Sequence, residues 1–188
     1  MVDKIKVEQA VRLMLEAIGE DVNREGLKDT PERISRMFEE IYSGYDEDAS
    51  VHLSKVFDLD NESYSDMVIE KDITFYSVCE HHMMPFFGKA YIGYIPNGKV
   101  VGISKLARTV ETFAKRLQIQ EKLGSSIAKA ISKELNAKGV IVLLEAEHLC
   151  MSMRGVKKPG SKTVTIAKCG EFETDINLEN KFIALIKQ

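Results

Sequence analysis

Cys79-Glu80-His81-His82 and, much later in the chain, His148-Leu149-Cys150 gather two of the three cysteines and three of the four histidines into two short clusters. Cys79 and His82 have the Cys-x-x-His spacing with which two ligands wrap one zinc ion from a turn, His81 being the alternative imidazole. His148 and Cys150 stand two apart, so a strand running through both would aim them at one face. Clusters of nitrogen and sulfur ligands on separate strand ends can then converge on one ion. Cys79, His82 and Cys150 make three ligands, one fewer than a structural zinc site normally has, and the remaining position suits a water whose pKa the metal lowers towards ~7. His81 and His148 are left beside it as proton carriers. That inventory suits metal-assisted hydrolysis. The plainer alternative is a buried cysteine packing as a small hydrophobe and a core histidine with a satisfied ring.

A second set of residues is basic. Ser104-Lys105-Leu106-Ala107-Arg108 opens a helix with Ser104 as its expected N-cap, which puts Lys105 and Arg108 in the first turn. Cations there oppose the helix dipole unless an anion binds between them and the free N–H groups. Arg154 follows the second cluster, and Arg33 and Arg36 lie on one side of an N-terminal helix. Several basic groups near one metal, in a chain of net charge −3, suggest a polyphosphate substrate, against the plainer reading of each as a solvated surface charge. Lys157, Lys158 and Lys162 read as solvated surface. Gln120 and Glu121 sit at a helix junction, where a carboxylate can accept two N–H donors from the Watson–Crick edge of guanine, or simply cap a helix or face water.

The elements that must carry these residues follow from periodicity. Val7, Val11, Met14 and Ile18 recur at helical spacing up to Gly19. Thr30-Pro31 then starts a second helix, with Thr30 as N-cap and Ile34, Met37, Phe38 and Ile41 as its buried stripe. Residues 43–66 are the expected connector. The remainder predicts two strands (Val68 to Val78 and Lys89 to Ile95), two helices (marked by Leu106, Val110, Phe113, Leu117 and by Leu123, Ile127, Ala130, Ile131), and two strands (Val140 to Leu144 and Thr163 to Ala167). A short helix ends the chain with Phe182, Leu185 and Ile186. The order is that of an α+β domain with an antiparallel sheet and helices on one face, so the expected division is a helical arm and connector at 1–66 and a main domain at 67–188.

Length and composition bound the rest. A chain of 188 residues can bury one substantial core, and 44% hydrophobic with 29% charged residues is ordinary globular composition. The net charge of −3 argues against general nucleic-acid binding. No apolar run approaches the roughly 20 residues that span a bilayer. The charged N-terminus lacks a signal-peptide core, and three cysteines in such a chain read as reduced thiols, so a cytoplasmic location is expected.

The strings CEHH (79–82), GISKLAR (102–108), RLQIQEKL (116–123), EHLCMSMRG (147–155) and SKTVT (161–165), with DTPERISRMF (29–38), strongly resemble the GTP cyclohydrolase I family over nearly the whole chain. The resemblance implies the tunnelling fold, ββααββ units assembled into a toroidal barrel, usually a homodecamer with active sites at subunit interfaces. It implies Zn2+ held by Cys79, His82 and Cys150. His148 matches the histidine that protonates the guanine imidazole ring, and His81 a second catalytic histidine. Glu121 with Gln120 matches the guanine anchor, Ser104 a residue near the ribose, and Lys105, Arg108 and Arg154 the triphosphate binders. Arg33 and Arg36 match basic residues that reach the triphosphate from a neighbouring subunit, the second position usually being Lys in the family. Cys169 matches no ligand. The implied reaction opens GTP at C8, releases formate and yields 7,8-dihydroneopterin triphosphate, the first step towards tetrahydrofolate and other pterins.

Two rivals set the terms of the test. A nitrile reductase of the same fold would use a cysteine nucleophile and NADPH without the Cys-His-Cys set. A structural zinc module would need a fourth protein ligand, for instance His148, and would leave the basic residues without a role.

Overall fold

The computed structural model of the chain describes residues 1–59 and 66–188. The two N-terminal stripes become helices α1 (Lys4–Ala17) and α2 (Thr30–Ile41), packed on each other. Asp3 caps α1 by accepting from the Lys6 amide at 3.1 Å, and buried Ser35 donates to the Glu8 carboxylate at 3.2 Å across the pair. The expected stripes are only half covered within one chain. Val11 is buried and Ile34, Phe38 and Ile41 are partly so, whereas Met14, Ile18 and Met37 stand exposed. The second helix starts one residue early, with Asp29 as N-cap and Thr30 already helical.

The stretch expected as connector holds structure of its own: helix α3 (Ala49–Leu53) and strand β1 (Val56–Asp58). Leu53 is fully buried in the main core, so these elements belong to the body by packing. Residues 60–65, also part of that expected connector, lie outside the described residues.

The body follows as β2 (Val68–Cys79), β3 (Pro85–Ile95), β4 (Lys99–Val101), α4 (Ile103–Ala114), β5 (Leu117–Gln118), α5 (Gln120–Leu135), β6 (Gly139–His148), α6 (Leu149–Ser152), β7 (Lys162–Gly170) and α7 (Ile176–Ile186). The expected ββααββ order is present. The main sheet runs β5-β2-β3-β6-β7, antiparallel throughout except for the two-residue β5, which pairs in parallel with the end of β2. β1 and β4 form a separate small ribbon.

The apolar run of β6 is buried on both faces, and its period of two assigns each residue a side. Val140, Val142, Leu144 and Ala146 face the core shared with α4 and α5, where Leu106, Val110, Leu123, Ile127 and Ile131 are all 0–1% exposed. Ile141 and Leu143 face the other way, into a smaller cluster with Phe172 and Phe182 that docks α7. The two central helices thus take one face and the C-terminal helix covers part of the opposite one. Each fully buried Leu or Ile contributes about 1.5–3 kcal/mol, so packing rather than intrinsic propensity fixes where α5 begins.

Gly88 in β3 faces the β6 backbone so closely that an added Cβ would stand 1.8 Å from the Glu145 carbonyl oxygen. Gly88→Ala should therefore cost about 3 kcal/mol by prising two central strands apart, a fall in Tm of roughly 6–12 °C by calorimetry. Gly124→Ala is the control, because its Cβ would meet nothing nearer than 3.5 Å. A Gly88→Ala melt indistinguishable from the parent would contradict this close approach.

Candidate metal centre and its histidine

Three chain ends meet at one end of the sheet. β2 finishes at Cys79, β3 begins at Pro85, and the loop between them is a tight turn. The Cys79 amide donates to the Met84 carbonyl and the Met83 amide to the Cys79 carbonyl, both at 2.8 Å. Closing that turn puts Met83 in the left-handed region, φ 52°, where side-chain-bearing residues are uncommon. The turn carries His82 back over Cys79, with its Nδ1 3.9 Å from the Cys79 Sγ.

Cys150 arrives by a different route from the one its spacing suggested. β6 ends at His148, and Cys150 lies on the single helical turn α6. It still reaches the same point: the ligand atoms of Cys79, His82 and Cys150 all lie within 4.8 Å of one another. A tetrahedron with metal–sulfur bonds near 2.3 Å and metal–nitrogen bonds near 2.1 Å has edges of roughly 3.6 Å, so small side-chain movements close this trio on one ion. Burial, and then the neighbouring Cys79, push the Cys150 thiol up, while Arg154 draws it back. A divalent cation between the two sulfurs reverses that balance and favours thiolates. His82 is exposed while Cys79 is buried, so the cluster opens to solvent on its histidine side.

His148 is next to this trio and outside it. Its ring stacks on fully buried Phe86, centroids 4.6 Å apart and planes within 1°, because Phe86 and His148 are register partners on β3 and β6. His148 Nε2 donates to Gln120 Oε1 at 2.8 Å. Burial holds the imidazole below its usual pKa, with the Glu121 carboxylate pulling the other way. Glu121 sits exposed in the first turn of α5, within electrostatic reach of the histidine. His81 is mostly solvent-exposed, its ring centroid 6.3 Å from that of His82.

Gln120 does not offer a free amide. It is 2% exposed, and its Nε2 donates to the Leu144 carbonyl at 3.0 Å, the Thr163 carbonyl at 2.9 Å and Thr165 Oγ1 at 3.2 Å. Its side chain is spent on the protein, which leaves Glu121 as the carboxylate able to meet a base edge. The spacing of Gln120 and Glu121 could not reveal this, since burial of one and exposure of its neighbour follows from where α5 meets β6 and β7. Phe86 and Thr165 are likewise partners that no spacing marked. Only the β3–β6 register and the β6–β7 pairing bring them in.

The basic residues are placed less uniformly. Ser104 is not the N-cap of α4. Val101 is still paired with Val56 in the small ribbon, so the chain turns at Gly102, which caps the helix without a side chain. Ser104 and Lys105 therefore occupy the first turn, over amides that no side chain caps. Arg108 lines a cavity of about 320 Å3 with Glu47, Asp48, Val51, His52 and Glu111, none of them a member of the metal cluster. Arg33 and Arg36 pair along their own helix with Asp29 at 3.4 Å and Glu32 at 3.0 Å. Both are well exposed, on the arm that packs chiefly on itself. No helix among the described residues is long and apolar enough to cross a membrane.

Residues 7–187 match the sequence profile of the family described as GTP cyclohydrolase I. The chain is 58% identical to the GTP cyclohydrolase 1 of Clostridium kluyveri over 98% of both chains. It is also 58% identical to that of Carboxydothermus hydrogenoformans over 99% of this chain and 96% of the other. With the Streptococcus pneumoniae protein of the same name it shares 52% identity over 98% of each. The likeness to a solved structure, an archaeosine synthase QueF-Like protein in its apo form, is partial: 21% identity and a TM-score of 0.48 over 58% of this chain and 97% of the other.

Proposed function

The chain belongs to the GTP cyclohydrolase I family, and from that premise we propose a Zn2+ enzyme that opens the guanine ring of GTP and remakes it as 7,8-dihydroneopterin triphosphate. The observation that carries the chemistry is the convergence of Cys79, His82 and Cys150 beside, but not including, His148. The donor set suits zinc: two sulfurs and an imidazole nitrogen, three protein ligands with an accessible side. Zn2+ held there would supply Lewis acidity and a water ionisable near neutral pH.

The protein's own residues do the remainder. Glu121 accepts the N–H donors of the guanine edge and so orients the base. His148, stacked and hydrogen-bonded, gives a proton to N7 as water adds at C8, and the ring opens to a formamide. A second hydrolysis releases formate. The freed diamine then undergoes an Amadori rearrangement of the ribose and recloses as the dihydropterin. His81 is the exposed second proton carrier. Ser104, close to the ribose, and Lys105, Arg108 and Arg154 hold the sugar and triphosphate.

The helix pair α1–α2 is proposed to serve a neighbouring subunit, bringing Arg33 and Arg36 to its triphosphate. What supports this is their position on a projecting helix pair with exposed apolar residues. A homodecamer of toroidal form is the assembly the family reading carries, and a cytoplasmic place the compartment. A structural zinc module would need a fourth protein ligand, and among the described residues the cluster has three.

The deciding experiment is incubation of zinc-assayed protein with GTP, following formate and pterin absorbance together. Both products appearing, and both abolished by a chelator, is the expected result. Zinc-loaded protein that leaves GTP intact would overturn the reading, and NADPH oxidation would revive the reductase. Lys105→Ala should raise KM for GTP at least about tenfold, the scale of one lost charge-assisted phosphate contact. Guanosine, which has no phosphate, should bind parent and variant alike, and a loss there would remove Lys105 from the triphosphate site.

A further inference from the structure

Gln120 Nε2 faces three acceptors, and the Leu144 and Thr163 carbonyls can never donate. Turning the amide over would set its oxygen against both carbonyl oxygens in a buried site, so the network fixes Oε1 as the atom that meets His148. An amide oxygen only accepts. His148 Nε2, 2.8 Å away, must therefore carry a hydrogen. The parallel Phe86 ring, 4.6 Å off, stops the imidazole from rotating out of this contact.

We infer that Gln120 is the positioning residue of the reaction, holding His148 by its Nε2–H so that Nδ1 is the ring nitrogen left to meet the substrate. The inference rests on the proposed ring opening for its consequence and on the hydrogen bonds for its geometry. Gln120 Oε1 can only accept, so this contact holds the ring in one orientation and leaves Nδ1 as the nitrogen free to meet the substrate. Thr165, on the neighbouring strand, supports the amide from behind and is the outermost part of the lock.

A guanine anchor and a histidine lock predict opposite kinetics. Gln120→Met, close in length but without an acceptor, should lower kcat for formate release roughly 100-fold with KM for GTP and zinc content little changed. Thr165→Val should shift kcat the same way by a smaller factor. A raised KM with intact kcat in Gln120→Met would make Gln120 a substrate contact and overturn the inference. Nitrogen NMR of histidine-labelled, zinc-loaded parent protein reads the lock directly, with His148 picked out by its absence from His148→Asn. A protonated, pyrrole-type Nε2 and a pyridine-type Nδ1 are expected; the reverse assignment would overturn the inference even if Gln120→Met failed to fold. Because the spectrum is taken without substrate, it decides the tautomer independently of whether the parent protein turns GTP over.

Discussion

Cys150→Ala protein should retain less than about a tenth of the parent's zinc after dialysis and release formate from GTP at least ~1000-fold more slowly. Among the described residues its sulfur is the one candidate ligand supplied from outside the β2–β3 turn. Without it, Cys79 and His82 are a two-point site, and ion affinity falls with every lost ligand. The rate follows because a metal-activated water ionises near neutral pH, far more readily than bulk water, and no side chain replaces that difference. Metal analysis and a formate assay on one preparation check both halves. Full zinc occupancy with parental formate release would remove Cys150 from the metal site. Stability separates this from unfolding: Cys150 sits half-buried on a single surface turn, so the secondary structure and the α4–α5 core should survive the change.

His148→Ala should behave in the opposite way, keeping zinc while losing formate release by about 100- to 10,000-fold, the range of a positioned proton donor. The ring is committed to Phe86 and Gln120 rather than to the Cys-His-Cys trio, so the ion has no reason to leave. Removing the ring strands the buried Gln120 oxygen without a partner, at a cost of about 1–3 kcal/mol unless a water enters. A modest fall in melting temperature should therefore accompany the kinetic loss. Co-loss of zinc and activity would instead make His148 a fourth ligand and favour the structural module. The two variants together dissociate metal binding from proton transfer, which neither can do alone.

Much of this is legible in the sequence. Period-two and period-3.6 patterns gave the ββααββ order because a residue's neighbours along one face are set by backbone geometry alone. Cys79 and His82 were readable as a pair because a tight turn can bring together residues three apart without help from the rest of the fold. Cys150 reaches the trio by a route its spacing does not encode: the strand expected to carry it stops at His148, and the following helical turn delivers the sulfur to the same place. Ser104 was misplaced by one turn feature, since the β1–β4 ribbon, not the local propensity of serine, decides where α4 begins. Gln120 and Glu121 looked like one unit. They separate because the first points into the seam between α5, β6 and β7 while the second points to solvent.

The sequence by itself determined the chemistry available to this protein: a sulfur-and-nitrogen donor set able to hold one divalent ion, imidazoles beside it, cations able to meet a polyphosphate, and the order of elements that carries them. Those are properties of residue type and short spacing, and side-chain chemistry and backbone period do not depend on the rest of the chain. The tertiary structure alone decided how His148, the imidazole outside the Cys-His-Cys trio, is held. Its setting rests on the β3–β6 register that lays His148 on Phe86 and on the β6–β7 pairing that surrounds the Gln120 amide with acceptors. Contacts between strands far apart in sequence are set by how the whole sheet buries its two faces, and no local pattern encodes them.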